Sequence, residues 1–147
     1  MRVAIYLETN TTRPSYATVG LLNANTTGVQ RILQAAGYEV TNLTRADISH
    51  HKLMTASYDV LILVDNLPRE NITSLVKEFW LGGGGVLSLD SAISYVCYAG
   101  MIPPESEGSE NYQVYWRYAP SVTQMNVTAR HPVTKAYHVN NTVTTSS

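Results

Sequence analysis

Val60, Leu61, Ile62, Leu63 and Val64 are five apolar side chains in succession, without polar alternation and too few for a buried helix. A strand over 59–64 must therefore be buried on both faces, which places it in a parallel sheet with helices above and below. The flanking segments supply such helices. Over 70–81, Ile72, Leu75, Val76, Phe79 and Trp80 fall at i, i+3, i+4, i+7 and i+8, and the run Gly82 to Gly85 stops the helix as a C-cap and tight turn. Upstream, Val29, Ile32, Leu33 and Ala36 make a second stripe, with Thr27 as the expected N-cap and Gly37 as the stop. Short apolar runs over 1–7, 38–43 and 86–89 read as further strands, and Ala92, Ile93, Val96 and Cys97 give a helical stripe over 91–99. Residues 9–26 read as a long loop, and the alternation in 112–118 suggests a strand at an edge. Strands alternating with helices at these lengths predict an α/β fold: a flavodoxin-like, three-layer, doubly wound, mainly parallel sheet with helices on both faces. It is expected over 1–138, with 139–147 a Ser/Thr-rich tail or linker.

The chain has 147 residues, enough for one core, and 44% of them are hydrophobic against 14% charged. With 10 Lys plus Arg against 11 Asp plus Glu there is no basic footprint for a phosphate backbone, so nucleic acid is not expected as a partner. The expected partners are a small molecule or a protein, a second copy of this chain included. No stretch is apolar enough to span a bilayer; 86–102 comes closest, but Asp90 and its serines interrupt it. Cys97 stands alone, so neither an internal disulfide nor a Cys-x-x-Cys pair exists, and a buried, inert thiol is its expected state. The four-glycine run joins a helix to the strand it feeds, the wrong end of the sheet for a phosphate cradle, and no cofactor is expected.

Six of the ten asparagines begin N-x-T sequons: Asn10, Asn25, Asn42, Asn71, Asn126 and Asn140. Ser and Thr together are 28 of 147 residues, so chance would give about two such sequons among ten asparagines. Thr richness alone is the plain explanation; a glycosylated extracellular or cell-surface protein is the favoured one. Residues 1–7 have the pattern of a strand and not of a secretory leader, so export implies a leader outside this sequence. The alternative is a cytoplasmic protein.

In open α/β sheets ligands sit outside the carboxyl ends of the strands, which makes Glu8, Thr9, Asp65, Asn66, Asp90 and Ser91 the expected ligand-binding residues. The segment VLSLDSAISYV passes from strand to helix within about one residue, the geometry that presents a nucleophile at an elbow. Together, RADISHHKLMTASYDVLILVDN, LVKEFWLGGGGVLSLDSA and ARHPVTKAY resemble, in this order, the class I glutamine amidotransferase-like superfamily. The likeness spans residues 2–137 and is nearest the branch with the N-terminal domain of biotin-protein-ligase-like proteins and the trehalose-utilisation-like proteins.

The resemblance implies that the strand after the Gly-rich turn should end in a cysteine nucleophile among small residues, where this chain has Ser88-Leu89-Asp90-Ser91-Ala92. The family's Pro-Gly-Gly, part of its oxyanion hole, is replaced by Asp65-Asn66-Leu67. Both departures remove parts that acyl transfer requires, so the resemblance implies a degenerate, non-catalytic domain that binds a ligand or serves assembly. The alternative is an enzyme: a hydrolase using Asp90 with His131, or a metal-dependent one using Glu8, Asp65 and Asp90 as oxygen ligands. Asp90 as the cap of the following helix, with Asp65 in a similar role, is the structural reading of the same carboxylates. Ser91 as nucleophile has no base beside it in sequence, and His50 and His51 sit in a polar connection where a solvated role is expected. Tyr95, Tyr98, Tyr112, Tyr115 and Tyr118, with Trp116, divide between core packing and an exposed contact surface.

Overall fold

A computed structural model describes residues 1–8, 19–64, 68, 70–89, 92–93, 95–102, 124–130 and 135–144. The chain divides into two compact units, Met1–Tyr115 and Trp116–Ser147. In the first, β1 (Arg2–Tyr6), α1 (Val19–Ala35), β2 (Glu39–Leu43), α2 (Arg45–Ser49), β3 (Val60–Val64), a 3-10 turn (Glu70–Ile72), α3 (Thr73–Leu81), β4 (Gly85–Leu89) and α4 (Tyr95–Tyr98) follow one another. The four strands form one sheet in the order β2-β1-β3-β4, every pair parallel, as the doubly wound reading expects. In the second unit β5 (Gln124–Asn126) and β6 (Thr142–Thr144) pair as an antiparallel hairpin, β6 lying in the segment expected to be a linker.

Period-two alternation along β1 and β3 sends their side chains to opposite faces. Ala4, Tyr6, Leu61 and Leu63 join Ile48 of α2, Val76 and Phe79 of α3 and Tyr95 of α4 in one core cluster. Val3, Ile5, Ile62 and Val64 join a second cluster, against which Val29 and Leu33 of α1 pack. Helices thus cover both faces, which is why the VLILV run is apolar throughout.

The expected helix stop is present in detail. Gly83 takes φ +96° after α3, the Gly83 N–H donates to the Trp80 carbonyl at 3.0 Å, and the Gly84 N–H donates to the Phe79 carbonyl at 3.0 Å. A Cβ on Gly84 would lie 2.3 Å from the Phe79 ring, so only glycine fits that approach.

Three expectations need correction. Helix α1 begins at Val19, inside the expected loop, and Thr27 lies within it and does not cap it. Its buried stripe is also rotated: Thr26, Val29 and Leu33 face inward, whereas Ile32 is 71% exposed. Near α4, Ala92, Tyr95 and Ala99 form the buried row, and Ile93 is 54% exposed. In both helices the core selects the row that meets the sheet, at the expense of a large apolar residue beside it. Helix α2 was not foreseen; Thr44 starts it through a reciprocal capping box with Asp47.

The amino ends of the strands are clamped by Asp59. Its carboxylate accepts from the Arg2 backbone N–H at 2.6 Å and from Arg2 Nη2 at 3.0 Å, and its carbonyl accepts from the Gly85 N–H at 2.9 Å. These contacts, the Arg2 backbone N–H first, hold the Asp59 carboxyl below its ordinary pKa.

Candidate functional site

With the strand order β2-β1-β3-β4, connections leave β1 toward β2 in one direction and reach β3 in the other, so the topological switch point lies between β1 and β3. Glu8, half-buried, stands just past β1 at that point. Its Oε2 accepts from the Arg45 backbone N–H at 3.3 Å, at the amino end of α2, where a carboxylate complements the exposed N–H groups. Arg45 Nη2 in turn donates to Asn71 Oδ1 at 2.8 Å. The chain Glu8–Arg45–Asn71 therefore ties the end of β1 to the start of α2 and to the 3-10 turn before α3. The Leu7 N–H, donating to the Leu43 carbonyl at 2.9 Å, closes the same corner.

Beside this corner is a second polar constellation. Asp47 Oδ2 accepts from the Thr44 backbone N–H at 2.9 Å and from Thr44 Oγ1 at 2.7 Å, while Asp47 Oδ1 accepts from Lys52 Nζ at 2.6 Å. The Lys52 ammonium first, then the two Thr44 donors, hold the Asp47 carboxyl far below the usual carboxylate range. Every partner in it belongs to the capping box and its ion pair, so the group shapes α2 and offers no free base for chemistry.

Of the residues expected to bind ligand, Glu8 is brought to the switch point; Thr9, Asp65, Asn66, Asp90 and Ser91 lie outside the described residues, as does His131. The proposed convergence of Glu8 with Asp65 and Asp90, and the Asp90–His131 pair, therefore fall there too. Among the described residues no group of three His, Cys, Asp or Glu side chains is placed to hold a metal ion. Cys97, expected to be buried, is half-exposed in α4, because the inward row of that segment passes through Tyr95 and Ala99. His50 and His51 are exposed. Tyr95 is fully buried and its ring lies 5.9 Å from that of Tyr98, a packing role for this pair; Tyr112, Tyr115, Trp116 and Tyr118 lie outside the described residues.

Sequence reasoning passed over Ser88. It pairs in register with Leu63, which pairs with Tyr6, so Tyr6, Leu63 and Ser88 form a row across the sheet near its carboxyl edge. The Ser88 hydroxyl is buried and has no hydrogen-bond partner, a state that costs about 1–3 kcal/mol. A lone Ser inside Val-Leu-Ser-Leu was the visible signal. Thr26, 1% exposed in α1, has a hydroxyl in the same condition.

The sequons are distributed over the scaffold. Asn42, Asn71, Asn126 and Asn140 are exposed, Asn25 is half-buried in α1, and Asn10 lies outside the described residues. No helix among the described residues is long and apolar enough to cross a membrane. No family model, curated protein or solved structure matches the chain.

Proposed function

We propose that this chain is a non-catalytic glutamine amidotransferase-like domain of an exported or cell-surface protein, which uses the crevice at the switch point to bind a small molecule or a protein partner. The observation that carries the reading is the position of the one thiol: β4 ends at Leu89, and Cys97 lies farther on, within α4, on a half-exposed side of that helix. An amidotransferase nucleophile belongs at the strand-to-helix elbow, where this sequence has Asp90. Glu8 further supports a binding role by its place at the switch point between β1 and β3, where such sheets take their ligands. The buried Ser88 hydroxyl near the end of β4 is a polar group that a ligand or water could satisfy. Export is supported by the exposed side chains of four sequon asparagines, Asn42, Asn71, Asn126 and Asn140, spread over both units.

The test is ammonia release from glutamine and simple amides by the purified chain, beside Asp90→Asn, His131→Ala and Cys97→Ser. The expected result is no turnover above the uncatalysed rate in any of the four. Turnover that disappears in Asp90→Asn or His131→Ala would replace this reading with a hydrolase.

A further inference from the structure

We infer that, of the five sequons among the described residues, Asn140 is the one at which the folded chain accepts an N-linked glycan, whereas Asn25, Asn42, Asn71 and Asn126 accept one only before the chain has folded. The inference deepens the export reading and rests on it only for bringing the chain to the transferase. In the reaction, Asn Nδ2 attacks the anomeric carbon of an oligosaccharide carried on a lipid diphosphate. The N–C bond forms as the C–O bond to the diphosphate breaks, one amide proton passes to a base, and the lipid diphosphate departs. The acceptor is the whole tripeptide, Thr hydroxyl included, and it must be lifted off the protein surface to enter an active site.

Four of the five described sequons cannot be lifted without pulling a core side chain out. Their middle residues are Thr26, Leu43, Ile72 and Val127, and each of these is buried. Two of them have further anchors. Asn42 lies in β2, paired with Ile5, and its sequon hydroxyl belongs to Thr44, which caps α2 by accepting from the Asp47 N–H at 3.2 Å. Asn71 accepts from Arg45 at 2.8 Å, and its Thr73 hydroxyl donates to the Pro68 carbonyl at 3.3 Å. These asparagines face water while their tripeptides are held by the fold.

Asn140 differs in that no residue of its tripeptide is buried. Asn140, Asn141 and Thr142 are all exposed, and Asn140 sits at φ +73° in the turn that leads into β6. Its ties are those of a short hairpin and its turn: the Asn140 N–H donates to the Val127 carbonyl at 2.7 Å, the Val127 N–H donates to the Asn141 carbonyl at 2.9 Å, the Asn141 N–H donates to the His138 carbonyl at 3.0 Å, and the His138 N–H donates to Asn141 Oδ1 at 2.7 Å. The Thr142 hydroxyl donates to Asn126 Oδ1 at 3.0 Å, an exposed contact that water replaces. Fraying a two-stranded ribbon is a low-energy opening that frees Asn140; Asn126 belongs to the same ribbon, but its tripeptide also needs the buried Val127 withdrawn, and Leu43 or Ile72 needs an opening of the core.

The experiment incubates the folded full chain, and separately synthetic peptides spanning each sequon, with a purified single-subunit oligosaccharyltransferase and a lipid-linked oligosaccharide, reading site occupancy by mass spectrometry. Asn140 in the folded chain should be modified within about tenfold of its peptide's rate, and Asn25, Asn42, Asn71 and Asn126 should fall about a hundredfold or more below theirs. Asn140→Asp and Thr142→Ala should each abolish the folded-state signal; the second keeps the asparagine that the positive φ favours. Equal protection of Asn140 and Asn42, equal reactivity of the two, or no reaction at the Asn140 peptide would overturn the inference. Failure of the export reading looks different: the native chain would be recovered unmodified from the cell interior, with the folded-against-peptide contrast intact.

Discussion

The two faces of the sheet are built from different side chains. Toward α2, α3 and α4 the central strands present Ala4, Tyr6, Leu61 and Leu63; toward α1 they present Val3, Ile5, Ile62 and Val64. On these central strands the α1 face is wholly β-branched, with stiff, short side chains that make a smooth pleated surface on which one helix can lie. The other face mixes a small residue with γ-branched or aromatic ones, which reach between several helices and interdigitate with them. Coverage differs as well. On β4, Leu87 is in register with Ile62 of the α1 face and is 46% exposed, whereas Val86 packs into the opposite core. Among the described residues the larger buried cluster lies on the multi-helix face, so that face is expected to contribute more of the stability than the α1 face.

The largest test of that asymmetry is Phe79→Ala. The ring is 3% exposed and sits against Gly84 and the core, and its loss should cost about 3–5 kcal/mol in denaturant unfolding. A cost under about 1 kcal/mol would mean that the multi-helix face is not the main core. Next comes a pair on the other face. Ile62 and Leu87 are register partners, so Ile62→Ala should cost about 2–5 kcal/mol and Leu87→Ala less than about 0.5 kcal/mol. Equal costs would show Leu87 to be covered after all, and the contrast between faces would fail.

Helix α2 extends the comparison to electrostatics. Thr44→Ala should remove about 1 kcal/mol by leaving the Asp47 N–H of α2 without its acceptor. The Asp47 carboxyl, whose ordinary pKa is 3.8, titrates well below that value in the folded chain, so folding favours its ionised form. The stabilisation is whole above the ordinary carboxylate range and is lost as pH falls through that range toward the lower folded value. Asp47→Asn should therefore destabilise the chain at neutral pH and flatten the stability profile below about pH 4, so that the two proteins converge in acid, read by thermal melts at stepped pH.

How far these features were legible in the sequence follows from their range. The sheet was legible because β3 is apolar on both faces and a purely local run encodes that; the stop at Gly83 was legible because a left-handed turn needs glycine. The start of α1 was not. Asn23, Asn25, Thr26, Thr27 and Gly28 are poor helix formers, and the helix persists through them because burial of Thr26, Val29 and Leu33 against the sheet overrides propensity. Helix α2 has five residues, too few for a stripe, although Thr44 and Asp47 at capping-box spacing announced it. The switch point could be named from strand order alone, and Glu8 stands there. Which side chains meet beside it depends on loop backbones, and periodicity carries no information about those.

Thr26 sharpens the reading of the α1 face. Its buried, partnerless hydroxyl occupies an inward position, so Thr26→Val, which keeps the shape and the χ1 restriction, should stabilise by about 1 kcal/mol. Destabilisation would mean that a water or ligand satisfies this hydroxyl in solution, and the α1 face would then be a polar one.

The smallest effect concerns how the helices on the two faces end. After α1, Gly37 sits at φ +82°, with the Gly37 N–H on the Gln34 carbonyl at 2.9 Å and the Tyr38 N–H on the Leu33 carbonyl at 3.0 Å. After α2 the same pair of bonds recurs: the His51 N–H on the Ile48 carbonyl at 2.8 Å and the Lys52 N–H on the Asp47 carbonyl at 3.0 Å, with His51 at φ +58°. One motif is thus closed by glycine after α1, as it is by Gly83 after α3, and by histidine after α2. The left-handed backbone strains the Cβ of His51, while glycine there would free the unfolded chain, so the two effects partly offset. His51→Gly should gain about 0.5 kcal/mol and Gly37→His should lose about 1 kcal/mol, both read by denaturant midpoint at constant slope. Because His51 is exposed, nothing else in the fold should respond to its removal. A loss on His51→Gly would therefore assign the imidazole a contact of its own, and the two helix ends would no longer be equivalent.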